Sequence, residues 1–150
     1  MTDLKERLRT DLTAAMKGRD ELRTATLRMV LAAVSAEEVA GKEARTLSDD
    51  EVQAVLRREA KKRREAAEAF GSAGRAEQAA REQAEGEVLA GYLPAQLEDA
   101  DLAALVADVI TRTGASGMKD MGKVMGAANG LVAGRADGGR VAAEVRRQLG

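Results

Sequence analysis

Apolar residues recur every three or four positions along nearly the whole chain of 150 residues, and this spacing predicts helices throughout. The first segment shows the spacing most plainly, with four apolar residues at intervals of four: Leu4, Leu8, Leu12 and Met16. The alternation of apolar and polar residues that is typical of strands is missing. Ala, Leu, Glu, Arg and Lys, the strongest helix formers, dominate the composition. We therefore expect an all-α protein.

Pro94, the only proline, is expected to divide the chain into two domains. The residue before a proline avoids helical backbone angles, so a helix should end there. We interpret Tyr92, Leu93 and Pro94 as a hinge between an N-terminal domain, residues 1–93, and a C-terminal domain, residues 94–150. Glycines and capping residues between the apolar segments predict an N-terminal bundle of about four helices and a small C-terminal three-helix domain.

Local features set the helix boundaries and faces in the first domain. Ser48 and Glu51 have the spacing of a capping box at the start of the third helix. Gly18 is expected to end the first helix and Asp20 to cap the second. In the second helix we expect one buried face, made of Leu22, Ala25, Met29, Ala32, Ala33, Ala36 and Val39.

The residue types that are missing exclude several kinds of site. The chain has no Cys and no His, which excludes disulfides, thiolate ligands and the commonest general base. Ser116 stands three residues before Lys119, as in some acyl-enzymes, but is expected only to cap the sixth helix. We therefore expect no catalytic residues, no metal and no cofactor. The charged N-terminus and the lack of an apolar run of about 20 residues predict a cytoplasmic protein without membrane contact.

The first candidate site is a basic segment of the third helix. Residues 57–64 contain six basic residues and one acidic residue, although the net charge of the whole chain is −1. At about 3.6 residues per turn, Arg57, Lys61 and Arg64 lie on one side of that helix. Two interpretations stay open: a solvated face with ion pairs inside the helix, and a surface that binds the phosphates of a nucleic acid.

The second candidate site is a glycine-rich segment, residues 119–138. Gly122, Gly126 and Gly130 are four residues apart, so they line one side of the sixth helix. Each glycine inside a helix costs about 1 kcal/mol relative to alanine, so we expect them to permit a close approach. The approaching group is either the seventh helix, packed tightly in the same domain, or an outside helix or sugar-phosphate chain. Four basic residues flank the glycines: Lys119, Lys123, Arg135 and Arg140.

Two stretches of this segment resemble the C-terminal signature of the GatB/YqeY family. They are residues 119–126 (Lys-Asp-Met-Gly-Lys-Val-Met-Gly) and residues 134–138 (Gly-Arg-Ala-Asp-Gly). Residues 92–97 (Tyr-Leu-Pro-Ala-Gln-Leu) are similar to the hinge of that family. The similarity runs from about residue 4 to residue 149, so the chain resembles a free-standing YqeY-like protein.

The N-terminal part carries a less specific likeness. Leu27 and Arg28, together with Glu38, resemble the second helix of the family. Residues 76–78 (Ala-Glu-Gln) depart from it, because the family usually has an Asp-Leu pair there. The start of the fourth helix is therefore the boundary that the resemblance supports least.

The resemblance implies a link to the glutamine-dependent amidation of tRNA, whose family-level activity is that of a carbon–nitrogen ligase with glutamine as amido-N-donor. In the amidotransferase, a similar helical tail belongs to the subunit that activates the mischarged tRNA, and the tail contacts the tRNA body. The catalytic portion of that subunit has no counterpart here, so the resemblance implies an accessory protein that is not catalytic alone. Its implied partners are tRNA and an amidotransferase or synthetase.

Carried over to this chain, the tRNA-facing residues are Lys119, Lys123, Arg135, Arg140, Arg146 and Arg147. The alternative is a protein-interaction adaptor with no role in nucleic-acid binding, whose glycine-lined and alanine-rich faces dock a helix of another protein.

Overall fold

A computed structural model describes residues 3–150, and within them it contains seven α-helices, one short 3₁₀ helix and no strand. The helices are α1 (Asp3–Lys17), α2 (Glu21–Glu38), α3 (Asp49–Ser72), α4 (Ala76–Ala90), α5 (Asp99–Thr113), α6 (Met121–Val132) and α7 (Gly138–Leu149), and the 3₁₀ helix is Met118–Asp120. The predicted all-α class is confirmed. No helix within residues 3–150 is long and apolar enough to span a membrane.

The chain divides into two compact units between Leu93 and Pro94. The first unit contains α1 to α4, and the second unit, Pro94–Gly150, contains α5 to α7. Each unit has its own cluster of buried apolar side chains.

The helix starts in the first unit follow the capping residues. The side chain of Asp20 accepts a hydrogen bond from the backbone N of Arg23 at 3.1 Å, which caps α2. Ser48 and Glu51 form both halves of a capping box at the start of α3. At α4, Arg75 precedes the first helical residue and its side chain makes no capping hydrogen bond. The fourth helix nevertheless starts at Ala76, where the sequence placed it.

Gly18 is the first residue beyond α1, as expected, because α1 ends at Lys17. The residue in the left-handed conformation is Arg19, with φ of 54°. The backbone N of Arg19 donates to Met16 O at 3.2 Å and that of Asp20 donates to Ala15 O at 2.9 Å. These two bonds are those of a Schellman motif, with an arginine at the position that glycine usually occupies.

The core of the first unit lies between α1, α2, α3 and the end of α4. Its fully buried members include Leu8, Val30, Leu56 and Leu89. The expected buried face of α2 is wrong in part, because four of its seven residues are exposed: Ala25, Ala32, Ala36 and Val39. The residues that α2 buries are Thr26, Leu27, Val30 and Val34. Burying Leu and Val removes more apolar surface from water than burying Ala, and this difference selects the face.

The buried core of the second unit is made of valine, leucine and alanine from the three helices and from the turn between α6 and α7. Its members are Leu102, Val106, Val109, Val124, Ala128, Val132, Ala136, Val141 and Val145. Ahead of α5, the backbone N of Leu97 donates to Arg135 O at 2.7 Å. The segment that precedes α5 is therefore bonded to the turn between α6 and α7.

Candidate nucleic-acid interface

The three glycines of α6 form an exposed strip, which we call the glycine strip (Gly122, Gly126 and Gly130). A Cβ atom added at any of them would meet no neighbouring atom within 4 Å among the described residues. The opposite side of α6 carries Val124 and Ala128, which are fully buried. Of the two alternatives for the approaching group, tight packing against α7 is therefore wrong, because the glycines face open space.

Larger apolar side chains stand near the two ends of the strip. Met118, in the 3₁₀ helix that precedes α6, is 48% exposed, and Leu131, in the last turn of α6, is 46% exposed. The outer face of α6 thus combines bare backbone with two half-exposed apolar side chains.

The two lysines at the start of this face differ in their contacts. The Nζ of Lys123 donates a hydrogen bond to Thr113 O at 2.9 Å, in the last turn of α5. A cation is favourable there, because the carbonyls at a helix C-terminus carry partial negative charge. The side chain of Lys119 is exposed and makes no hydrogen bond or ion pair within residues 3–150.

The two arginines at the other end of α6 are bonded to backbone carbonyls. Arg135 donates from Nε to Val132 O at 3.0 Å and from Nη2 to Leu131 O at 2.8 Å, so it closes the end of α6. Arg140 donates from Nη2 to Leu97 O at 2.8 Å and to Asp99 Oδ1 at 3.0 Å. Both guanidinium groups therefore stabilise the second unit itself.

The last turn of α7 contains the remaining two basic residues. Arg147 donates from Nε to Glu144 Oε2 at 3.0 Å. The Arg147 guanidinium, and next the amide of Gln148, lower the pKa of the Glu144 carboxyl below its usual value. Arg146 is exposed, and its side chain has no hydrogen-bond or ion-pair partner within the described chain. Gln148 also donates to Ala103 O at 2.8 Å, which places this turn against α5.

Several cations in the basic segment of α3 form ion pairs with nearby glutamates. Arg58 pairs with Glu37 at 3.3 Å, and Lys62 and Arg63 pair with Glu59 at 3.3 and 3.2 Å. These contacts agree with the interpretation of ion pairs on a helix face.

The predicted stripe on α3 lies beside these ion pairs. Its members are Arg57, which is partly exposed, and Lys61 and Arg64, which are exposed. Neither Arg57 nor Lys61 has a side-chain partner within residues 3–150. The structure thus leaves the stripe accessible in part.

The predicted hinge residues lie in different units. Tyr92 is 6% exposed and belongs to the core of the first unit, and Leu93 packs against that core. The hydroxyl of Tyr92 donates to Asp11 Oδ2, and the guanidinium carbon of Arg7 lies 4.7 Å from the ring centroid. Burial, and next the hydrogen bond to Asp11, raise the pKa of Tyr92 to about 12. Pro94 is the first residue of the second unit.

The role expected for Ser116 is wrong. Its backbone N donates to Asp120 Oδ2 at 3.0 Å, and Gly117 is the residue that precedes the 3₁₀ helix. The carboxylate of Asp120 therefore reaches back to the chain, whereas a capping serine would accept a bond from the helix. In the sequence, the only indication of this bond is the short acidic side chain of Asp120, four residues after Ser116.

Sequence reasoning also missed the intramolecular role of the cations. Arg135 follows α6 by three residues, and arginine near a helix C-terminus is a known way to bind the last carbonyls. That position could have identified Arg135 as a helix-ending residue. Nothing in the sequence indicates the contact of Arg140 with Leu97, because the two are 43 residues apart.

Comparison with known proteins complements this geometry. No curated protein matches the chain. The family described as Yqey-like protein matches residues 5–149, which include the glycine strip and all of the basic residues named above. The resemblance seen in residues 119–126 and 134–138 is thereby confirmed. The chain belongs to the family of YqeY-like proteins.

Proposed function

We propose that this YqeY-like protein is a cytoplasmic accessory factor of glutamine-dependent tRNA amidation, which contacts tRNA through its second unit and has no catalytic residues of its own. Its partner in that role is a tRNA, alone or in complex with an amidotransferase or synthetase. Support comes from family membership and from the likeness of the second unit to the tail that contacts tRNA in the amidotransferase.

The exposed glycine strip is the observation that carries the proposal. Three glycines together cost the helix about 3 kcal/mol relative to alanine, and no side chain of the second unit uses the space they leave. A surface without Cβ atoms lets a sugar-phosphate backbone come close to a helix. Lys119 and Lys123 beside the strip supply positive charge for the phosphates.

Substitution of Gly126 with alanine tests this use of the strip. In the free protein the new methyl group enters open space, so Gly126→Ala raises the free energy of unfolding by about 0.5–1 kcal/mol. In the complex the same methyl group separates the helix from the RNA, so affinity falls. Thermal unfolding and fluorescence anisotropy with a labelled tRNA transcript measure the two effects.

Gly71→Ala is the matched control. Gly71 lies in the last turn of α3, and a Cβ atom there also meets nothing within 4 Å among the described residues. We expect it to change stability in the same direction and to leave tRNA affinity unchanged. The proposal is wrong if the wild-type protein binds tRNA no better than a non-specific basic protein at low salt, or if Gly126→Ala binds as the wild type does.

A protein-interaction adaptor is the second candidate, and the contacts of the cations favour it. Arg135, Arg140 and Arg147 bind groups of their own chain, and Met118 and Leu131 expose apolar surface beside the strip. A bare glycine face flanked by apolar side chains also suits a helix of another protein. Recovery of a stoichiometric protein partner after nuclease treatment and in high salt, together with no tRNA binding, supports the adaptor.

A further inference from the structure

α5 and α6 run antiparallel, so the start of α6 lies near the end of α5 and the end of α6 lies near the start of α5. Near the start of α6, Lys123 binds Thr113 O in the last turn of α5. Beyond the end of α6, Arg135 O accepts from the backbone N of Leu97, ahead of α5. Twelve helical residues span about 18 Å, so the two regions are separate on the scale of a phosphate contact. We call them the lysine end (residues 108–123) and the arginine end (residues 97–101 and 133–140).

The formal charges of the two ends have opposite signs. The arginine end contains four carboxylates and two guanidinium groups, so its formal charge is 2 − 4 = −2. The carboxylates are Glu98, Asp99, Asp101 and Asp137. The lysine end contains three cations and two carboxylates, so its formal charge is 3 − 2 = +1. The cations are Arg112, Lys119 and Lys123, and the carboxylates are Asp108 and Asp120. A polyanion that approaches α6 is therefore repelled by one end and attracted by the other.

The cations of the lysine end also have more N–H groups left to bind a phosphate than those of the arginine end. At the arginine end, Arg135 binds two carbonyls and Arg140 binds one carbonyl and one carboxylate. Turning Arg140 towards a phosphate would leave Asp99 unpaired beside the incoming anion. At the lysine end, Lys119 has no partner in the described chain. Lys123 uses one of its three N–H groups on Thr113 O, so two can still donate.

The two carboxylates of the lysine end have partners within the second unit. Asp108 is paired with Arg112 at 2.9 Å. Asp120 accepts a hydrogen bond from the backbone N of Ser116 at 3.0 Å. Asp99 and Asp137 at the arginine end are bonded in the same two ways, to the guanidinium and to the backbone N of Arg140. The ends therefore differ by two further carboxylates at the arginine end, Glu98 and Asp101, and by one further cation at the lysine end.

We infer that the phosphate backbone of the RNA lies across the lysine end of the glycine strip, over Gly122 and Gly126, with Lys119 as its principal phosphate contact and Lys123 as its second. Arg135 and Arg140 hold the second unit together and do not touch the RNA. This inference rests on the proposed function and narrows it to one end of one helix.

Charge reversal at Lys119 tests the inference with the full-length chain and a fluorescein-labelled tRNA transcript. Lys119→Glu removes one contact and adds a repulsive charge, so affinity at low salt falls about tenfold. Lys119→Ala lowers the slope of log K against log salt concentration by about one. Lys42→Glu is the matched control, because Lys42 is exposed, lies in the first unit and undergoes the same charge change. We expect its affinity to stay within about twofold of the wild type.

Arg140→Gln tests the other end. We expect a lower midpoint of thermal unfolding, because the bonds to Leu97 and Asp99 are lost, and an affinity for tRNA within about twofold of the wild type when binding is measured well below that midpoint. Acetylation of lysines followed by mass spectrometry gives an independent readout. Bound tRNA should protect Lys119 and Lys123 and leave Lys42 as reactive as in the free protein.

The outcomes separate the inference from the proposed function. If the wild-type protein binds tRNA, and folded Arg140→Gln loses affinity while Lys119→Glu keeps it, the inference is overturned and the proposed function stands. The same holds if tRNA leaves Lys119 fully reactive to acetylation. If the wild-type protein does not bind tRNA at low salt, the proposed function is wrong and the inference falls with it.

Discussion

The inner part of the first unit and the outer part of its α3–α4 hairpin are made of the same helices but are stabilised by different interactions. The inner part contains the buried cluster with Leu8, Leu27, Leu56 and Leu89. Residues 61–87, the outer hairpin, are all described and contribute no member to that cluster. Ala67 is the one residue of the outer hairpin that is buried. Helical content is therefore a poor guide to local stability in this chain.

In the outer hairpin, α3 and α4 are joined mainly by ion pairs. Arg63 on α3 lies 3.2 Å from Glu59, 3.4 Å from Glu82 and 3.7 Å from Glu85. Arg81 joins the same group through Glu85 at 3.0 Å. The helices are close there, since a Cβ atom on Gly86 would lie 3.7 Å from the Cβ of Arg63. Close helices with little apolar burial should open locally at a lower free energy than the core-supported part.

Substitution of Leu56 with alanine is expected to have the largest effect. Leu56 is fully buried in the inner cluster, so Leu56→Ala removes apolar contacts and leaves a cavity. The free energy of unfolding should fall by about 2–5 kcal/mol, as measured by urea unfolding. Hydrogen exchange should become faster in all of α1 to α4. If protection against exchange were lost only in the outer hairpin, the division between the inner part and the outer hairpin would be wrong.

Substitution of Arg63 with methionine is expected to act on the outer hairpin alone. It removes the cation that three carboxylates share, and we expect a local destabilisation of about 1–3 kcal/mol because the group is partly buried. Hydrogen exchange should become faster in residues 61–87, while α1 and the start of α3 stay protected.

Lys62→Met is the matched control for Arg63→Met. Lys62 contacts the same Glu59, but its side chain is 65% exposed against 20% for Arg63. An exposed pair contributes about 0–1 kcal/mol, so exchange in the outer hairpin should hardly change. Equal effects of the two substitutions on exchange would show that the burial of Arg63 adds nothing to the stability of the outer hairpin.

The sequence predicted these helices far better than the interactions between them. Helical spacing and caps depend on neighbours within four residues, which is why α1 and the capping box of Ser48 were predicted correctly. The buried face of α2 could not be predicted in the same way, because its apolar residues lie on several sides and the packing partners decide among them. Two of the three partners of Arg63, Glu82 and Glu85, lie on α4, 19 or more residues away, and helical spacing does not encode that distance.

The same limit applied to the candidate site. Spacing alone placed Gly122, Gly126 and Gly130 on one side of α6, but it did not indicate whether that side is buried or exposed. Charge alone grouped Lys123 with Arg140, yet the two bind carbonyls at opposite ends of α5. Residue type predicts which groups can meet a phosphate, and only the tertiary contacts tell which of them are already bonded.

Substitution of Tyr92 with phenylalanine tests whether polar contacts matter in the inner part as well. Loss of the hydrogen bond to Asp11 should cost about 1–2 kcal/mol. Because the pKa of Tyr92 is raised from 10.0 to about 12, the folded state favours the protonated phenol. This contribution is complete below about pH 10 and is lost as the pH rises through about 12. Urea unfolding at a series of alkaline pH values should show a steeper loss for the wild type than for Tyr92→Phe, and identical slopes would contradict this role.

Substitution of Arg19 with glycine is expected to have the smallest effect, and it stabilises. Arg19 has a φ of 54°, a conformation that costs a residue with a side chain about 1 kcal/mol. Part of the gain is lost because glycine makes the unfolded chain more flexible, so we expect a net increase of about 0.5 kcal/mol in the free energy of unfolding. The turn between α1 and α2 touches the outer hairpin through an exposed ion pair, Arg81 with Glu21 at 3.0 Å. Such a pair contributes about 0–1 kcal/mol, so hydrogen exchange in the outer hairpin should hardly change. If Arg19→Gly also slows exchange in residues 61–87, the two parts are coupled and the hairpin does not open independently.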